Sequence, residues 1–210
     1  MKKHSFWIAL GCLAAFGMWT AAVCLIDVQA IGPRGTTVGL ASLNRWVHDR
    51  TGVHMTLYTV TDWLSLIPAA FAVGFAALGL AQWIGRKHLR RVDRNILVLG
   101  AFYGAVLTVY LLFERWVINY RPVLIDGVLE ASYPSSTTML VLTVMTTAIL
   151  QLRGRIKRAG LRRAVLWGVG VFTLLMVAGR LISGVHWVTD IVGGMLLSGA
   201  LVLLYTAFAE

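Results

Sequence analysis

Apolar residues along this chain fall into six long blocks separated by short polar junctions, with neither the alternation of half-buried strands nor the stripe of amphipathic surface helices. The blocks cover residues 6–26, 63–84, 95–117, 135–152, 164–182 and 187–208, and about 20 apolar residues span a hydrocarbon core. Each is expected to be a membrane-crossing helix. The fourth and fifth are slightly short, so their polar ends should sit recessed below the surface. The first block follows Lys2-Lys3-His4, and Val28-Gln29-Ala30 loosely fits a leader-cleavage site. The block is longer than the roughly 7–15 residues of a leader's apolar stretch, which favours a retained helix.

Between the first two blocks lies the longest polar stretch, residues 28–56, opened by the turn signal Gly32-Pro33-Arg34-Gly35. Within it Leu40, Leu43, Trp46 and Val47 recur at helical spacing, predicting a short helix on the membrane surface. Thr61 or Asp62 is expected to cap the second span. Thr137, Thr138, Thr143, Thr146 and Thr147 make the fourth span rich in hydroxyls, and Gly193, Gly194, Ser198 and Gly199 give the sixth a small-residue face for close packing. No repeat at a fixed period is visible.

Composition agrees with this pattern. Hydrophobic residues make up 58% of the chain and charged residues 13%, against about 25% charged in soluble domains, and the mean hydropathy is +0.76. The predicted fold is all-α: a polytopic membrane protein of six transmembrane helices in a bundle, with a short interfacial helix in the first outer loop, forming a single domain over residues 1–210. The net charge of +10 would suit nucleic acid, but its distribution excludes that partner. Lys2 and Lys3, then Arg86, Lys87, Arg90, Arg91 and Arg94, then Arg153, Arg155, Lys157, Arg158, Arg162 and Arg163 all fall in the tail or in two alternate loops. By the positive-inside rule those parts are cytoplasmic, both termini with them, in a multi-pass protein of the cell membrane. Cys12 and Cys24 share one apolar block and say nothing of redox compartment.

Three ionisable residues interrupt the apolar C-terminal third: Arg180, His186 and Asp190, within the run 179–190. Charge at membrane depth is costly and faces a polar interior. His186 and Asp190 are four apart, which on a helix sets them on one face. The carboxylate could then hold one ring nitrogen and leave the other as nucleophile or base. A pair that only joins two helices is the competing reading. Arg180 would approach from another turn as a fixed cation for an anion. Two further junctions converge on the same side, 114–122 and 132–138, carrying Arg121-Pro122 and Pro134-Ser135-Ser136-Thr137.

These junctions resemble the signature of the type 2 phosphatidic acid phosphatase family, the membrane branch of a superfamily shared with vanadium haloperoxidases. Its third motif, Arg-x5-His-x3-Asp, is matched by Arg180, His186 and Asp190, with Gly179 where serine is usual. Its first, Lys-x6-Arg-Pro, is matched at its end by Arg121-Pro122, with Glu114 at the lysine position. Its second, Pro-Ser-Gly-His, reads Pro134-Ser135-Ser136-Thr137. The resemblance covers about residues 95–200, with the core motifs at 114–190.

The resemblance implies a phosphate ester hydrolase that needs no metal or cofactor and forms a phosphohistidine. His186 would be the nucleophile and Asp190 would orient it. Arg121 and Arg180 would clamp the phosphate, with Ser135, Ser136 and the N-terminus of the fourth helix completing the cradle. The departures bear on this directly. Thr137 has no proton to give near neutral pH, so the family's general acid is missing, a deficit of about 10²–10⁴ in rate. His48 or His54 of the outer loop could fold over and replace it. Glu114 puts a carboxylate where the family keeps a cation and could pair with Arg121 or Arg180. Arg115, rotated about 100° from it, would stand in only if the helix end were distorted. The expected function is a lipid-phosphate phosphatase at the outer face of the bilayer, acting on a phospholipid or polyprenyl phosphate and favouring diphosphates over phosphatidic acid, whose monoester needs a protonated leaving group. The alternative is a non-hydrolytic relative that binds or transports such lipids. No ligand cluster suggests a metal, and the oligomeric state is not legible.

Overall fold

In the computed structural model, which describes residues 2–209, an apolar helix α1 (Lys2–Leu25) is followed by a short helix α2 (Ala41–Thr51). Then come α3 (Met55–Leu64), α4 (Leu66–Arg86), α5 (Arg94–Arg115), α6 (Ser136–Arg155), α7 (Ala159–Ile182) and α8 (Val188–Ala209). The side chains of Lys2 and Lys3 lie outside the described residues. α1, the pair α3–α4, α5, α6, α7 and α8 are long and apolar enough to cross a membrane. The protein is a multi-pass membrane bundle with a short helix in its first connection, as the hydropathy pattern predicts. The fifth span is not short: α7 has 24 residues because its first turns carry Arg162 and Arg163 beyond the apolar block. Long basic side chains reach water from there.

The second span begins at Met55, earlier than the apolar pattern indicates, and bends at Ser65. Pro68 accounts for the break, since it has no N–H to donate to the carbonyl of Leu64 four residues earlier. Thr61 and Asp62 therefore lie inside α3 and do not cap the span. The Thr61 hydroxyl donates back to the carbonyls of Leu57 and Tyr58, each at 2.9 Å.

α1 packs along α8, and α6 lies against α7 and α8. A core of Phe16, Phe75, Leu99, Phe102, Met139, Leu197 and Tyr205 joins α1, α4, α5, α6 and α8. α2 is fixed through Asn44, fully buried, whose side chain donates to Thr189 Oγ1 at 3.0 Å and accepts from the Thr189 N–H at 3.2 Å. Leu43 and Trp46 remain exposed on its other side, as a membrane-surface helix requires.

The small face of α8 receives more than a helix. A Cβ on Gly193 would come within 2.7 Å of the Tyr133 ring, and one on Gly194 within 3.2 Å of the Ser135 carbonyl. Gly193 and Gly194 thus let the segment Tyr133–Ser135 lie directly on α8. Gly199 faces open space and does not belong to this surface. Gly193→Ala is expected to lower the melting temperature in detergent, by overpacking worth about 1–3 kcal/mol. Gly199→Ala should leave it unchanged; equal melting of the two variants would contradict the close approach.

Candidate functional site

The turn between α7 and α8 carries the third motif. Arg180 is in the last turn of α7, Gly184 makes the turn at φ +68°, and Asp190 lies in the first turn of α8. A Cβ on Gly184 would sit 1.8 Å from the carbonyl oxygen of Gly52, so the α2–α3 connection passes directly over this turn. The backbone N–H of His54 donates to the Ser183 carbonyl at 2.9 Å and holds it there.

His186 precedes α8 rather than lying on it with Asp190. The two still meet: Nδ1 of His186 is 3.7 Å from Asp190 Oδ2, longer than a hydrogen bond. Asp190, fully buried, is instead held by other donors. Ser132 Oγ donates to Oδ2 at 2.5 Å, the Trp187 backbone N–H to the same oxygen at 2.9 Å, and Asn119 Nδ2 to Oδ1 at 3.3 Å. Both nitrogens of His186 are buried and have no hydrogen-bond partner among the described residues, and Nδ1 is the one facing the carboxylate. Burial pushes the imidazole down from 6.5 to about 4, the nearby Asp190 carboxylate opposes this, and the positive charge of Arg121 and Arg180 adds to the fall. Such a ring is neutral near pH 7, as a nucleophile must be.

Asn119, Ser132, Arg121 and Glu130 come from one folded-back loop. The N–H of Arg121 donates to the Glu130 carbonyl at 3.0 Å and that of Ser132 to the Asn119 carbonyl at 2.9 Å. Asp126 and Gly127 turn the chain with positive φ. Positions two apart in extended chain face the same way, so Asn119 and Ser132 sit across from each other at Asp190, and Arg121 sits across from Glu130.

The two arginines approach the same tyrosine. The Arg180 guanidinium carbon lies 4.9 Å and that of Arg121 5.7 Å from the centre of the Tyr58 ring, within range of cation–π attraction. Arg180, 1% exposed, donates from Nη2 to Asp62 Oδ1 at 3.0 Å and to Thr137 Oγ1 at 2.5 Å. Its Nη1 approaches Thr61 Oγ1 at 3.4 Å, and its Nε is buried without a partner. Arg121 Nε lies 2.9 Å from Glu130 Oε2, an ion pair whose N–H does not point along the contact, and Nη1 is buried with no acceptor.

Glu114 pairs with neither arginine. It is exposed at the end of α5 and lines a small cavity with Tyr110, Ser132, Pro134 and Ser136. Asp62 and Glu130 take the guanidinium groups instead. Arg115 is exposed and pairs with no carboxylate among the described residues. Ser135 caps α6, accepting from the Thr138 N–H at 3.4 Å, but its own N–H donates to the Asp190 carbonyl at 3.0 Å and is not free for an anion. Ser136 and Thr137 stand at the polar end of an apolar groove of about 400 Å³ lined by Ala72, Leu107 and Leu140 of α4, α5 and α6. Of the two loop histidines, His54 is exposed and its ring contacts the Thr51 carbonyl, whereas the His48 ring lies 5.4 Å from that of Trp187 with Nε2 buried and unpartnered. No group of three or more His, Cys, Asp or Glu suited to a metal occurs among the described residues.

Sequence reasoning missed the roles of Tyr58, Asp62, Asn119, Glu130 and Ser132. Asp62 was legible as a lone carboxylate entering an apolar span. The loop was legible from Asp126-Gly127, a reverse-turn signal with Asn119 and Arg121 on one side and Glu130 and Ser132 on the other.

Residues 37–210 match the family model of the PAP2 superfamily. No curated protein matches the chain. Among solved structures, the chain is similar to a transmembrane PAP2-type phosphatidylglycerolphosphate phosphatase from Bacillus subtilis, with 19% identity, a TM-score of 0.66, and coverage of 95% of this chain and 94% of that one.

The buried state of His186 has a spectroscopic consequence. In protein labelled with ¹⁵N-histidine, with His186→Gln for assignment, its ring is expected to stay neutral at about pH 5.5, where an exposed histidine of pKa about 6.5 is mostly protonated. A midpoint near 6.5 would show that the ring is in water.

Proposed function

The chain belongs to the PAP2 superfamily, and on that footing we propose that it is a lipid-phosphate phosphatase working at the outer face of the membrane through His186. The observation that carries this reading is one cluster: a buried histidine with unpartnered nitrogens, an oriented carboxylate on its Nδ1 side, and two guanidinium groups whose charge acts on it. The neighbouring fold being that of a phosphatidylglycerolphosphate phosphatase supports a lipid substrate. The apolar groove ending at Ser136 and Thr137 suits an acyl or prenyl chain. The basic loops at the opposite end of the bundle favour cytoplasmic termini and a site on the outer side.

In this reading Arg121 and Arg180 bind the non-bridging oxygens of the phosphoryl group, displacing Glu130 and Asp62. Nε2 of His186 attacks phosphorus in line, the bond to the leaving oxygen breaks, and Asp190 steadies the ring as it becomes charged. Thr137 accepts from Arg180 and donates no proton to the leaving group. Alkoxide departure from a monoester is therefore slow. Phosphate departing from a diphosphate needs no such help, so lipid diphosphates are the favoured substrates.

One observation favours a second reading, in which the protein binds a lipid phosphate without hydrolysing it. Both arginines are already matched by carboxylates, Asp62 and Glu130, which an incoming phosphate must displace. Phosphate release from a panel of lipid mono- and diphosphates by purified protein separates the two. Hydrolysis is expected for diphosphates, roughly 10²-fold above monoesters in kcat/KM, and is expected to vanish in His186→Ala. Headgroup binding with no release from any lipid would support the second reading.

A further inference from the structure

Hydrolysis through a phosphohistidine has a second half, in which water must lose a proton as it attacks phosphorus. Where the family signature has a histidine, this chain has Thr137, which cannot accept that proton near neutral pH. Another group has to do so if the enzyme is to turn over.

The ionisable groups around the cluster differ in whether they are free. Asp190 is fully buried and committed to Ser132, Asn119 and the Trp187 N–H. Glu130 belongs to the Arg121 end of the site. Glu114 lines a small cavity with Tyr110 and Ser136 and pairs with neither arginine. His48 packs on Trp187 with its Nε2 shut away from water. Asp62 and Glu130 both combine contact with the clamp and access to solvent, and Asp62 is the more open of the two: Oδ1 rests on Arg180 Nη2 at 3.0 Å, the side chain is 56% exposed against 39% for Glu130, and Oδ2 has no hydrogen-bond partner among the described residues.

Its position also answers the vacancy. The Nη2 that meets Asp62 is the one that donates to Thr137 Oγ1 at 2.5 Å. A single nitrogen thus bridges the carboxylate and the side chain standing at the missing histidine's place. α3 holds Asp62 there because it packs against α7 and because the adjacent Thr61 hydroxyl also approaches Arg180. A carboxylate at the end of an apolar span is costly unless it has such a task or partner.

We propose that Asp62 is the general base for hydrolysis of phosphorylated His186; the assignment rests on the phosphatase reading above. In the first half-reaction Nε2 of His186 bonds to the terminal phosphorus of the lipid diphosphate and the P–O bond to the lipid monophosphate breaks, the monophosphate leaving as an anion with no proton required. Phosphate oxygens then occupy the Arg180 N–H groups, and the Asp62 carboxylate faces water. Water attacks phosphorus and its proton passes to Asp62. The P–Nε2 bond breaks with its electron pair returning to the ring, and inorganic phosphate leaves. Asp62 releases the proton to solvent, to which it is open.

The test is rapid-quench kinetics on purified protein with a lipid diphosphate, comparing wild type with Asp62→Asn, which keeps an oxygen for Arg180, and Asp62→Glu. For Asp62→Asn, one equivalent of product should appear at nearly the wild-type rate, acid-labile phosphohistidine should accumulate, and steady-state turnover should fall about 10²-fold. Hydroxylamine, a nucleophile that needs no base, should restore turnover, and Asp62→Glu should retain much of it. Equal loss of burst and steady state with a raised KM, and no rescue, would make Asp62 a structural partner of Arg180 and overturn the proposal. So would phosphohistidine accumulating in His48→Gln but not in Asp62→Asn. A wild-type protein that releases no phosphate from any lipid instead removes the phosphatase reading, and this assignment with it.

Discussion

The buried carboxylate of Asp190 is the constraint from which the rest of the cluster follows. An ionised group with no exposure to water costs several kcal/mol unless hydrogen bonds replace its hydration. Here the replacements come from different stretches of chain: Ser132 and Asn119 from the folded-back loop, and the Trp187 N–H from the start of α8. Bonds to a charged acceptor are worth about 1.5–3 kcal/mol each, so the loop is drawn onto α8 by the charge it satisfies. Seating it also brings Arg121 toward His186 and presses Tyr133 and Ser135 against Gly193 and Gly194, where any side chain would stand in the way.

A second constraint is the repulsion between two guanidinium groups gathered near one imidazole. Arg180 is almost wholly buried and would not be stable as an isolated cation at that depth. Asp62, Thr61, Thr137 and the face of Tyr58 compensate it, and Glu130 compensates Arg121. The cluster is thereby kept near electrical balance. A phosphate competes with these carboxylates for the same N–H groups, so the side chains that stabilise the resting site also set how readily an anion enters it. Asp62 and Glu130 are both partly exposed and can turn outward, whereas Asp190 is enclosed and cannot.

Departures from the family signature read differently once their neighbours are known. Glu114, at the lysine position, looks from the sequence like a competitor for the arginines, yet it lies at the end of α5 in a small cavity shared with Tyr110 and Ser136. Thr137, at the histidine position, has not simply lost a function, since its hydroxyl now holds Arg180. The pairing expected of His186 and Asp190 from their spacing is also altered. The ring lies ahead of α8 rather than on it, and the carboxylate stands near Nδ1 while its hydrogen bonds go elsewhere.

Sequence alone determined the number of spans, the short helix in the first connection, and the three junctions that carry Arg121, Ser135, Arg180, His186 and Asp190. These depend on length, apolarity and short spacings, and a bilayer tests such properties segment by segment. Tertiary structure decided which carboxylate meets which guanidinium, that Ser135 spends its N–H on Asp190, and that α3 reaches far enough to set Tyr58 and Asp62 beside Arg180. Polar groups withdrawn from water must take partners from whatever the packing brings near. For Asp62 with Arg180 and Ser135 with Asp190 the partners are scores of residues apart, a distance over which periodicity carries no information, whereas Glu130 reaches Arg121 across a single turn.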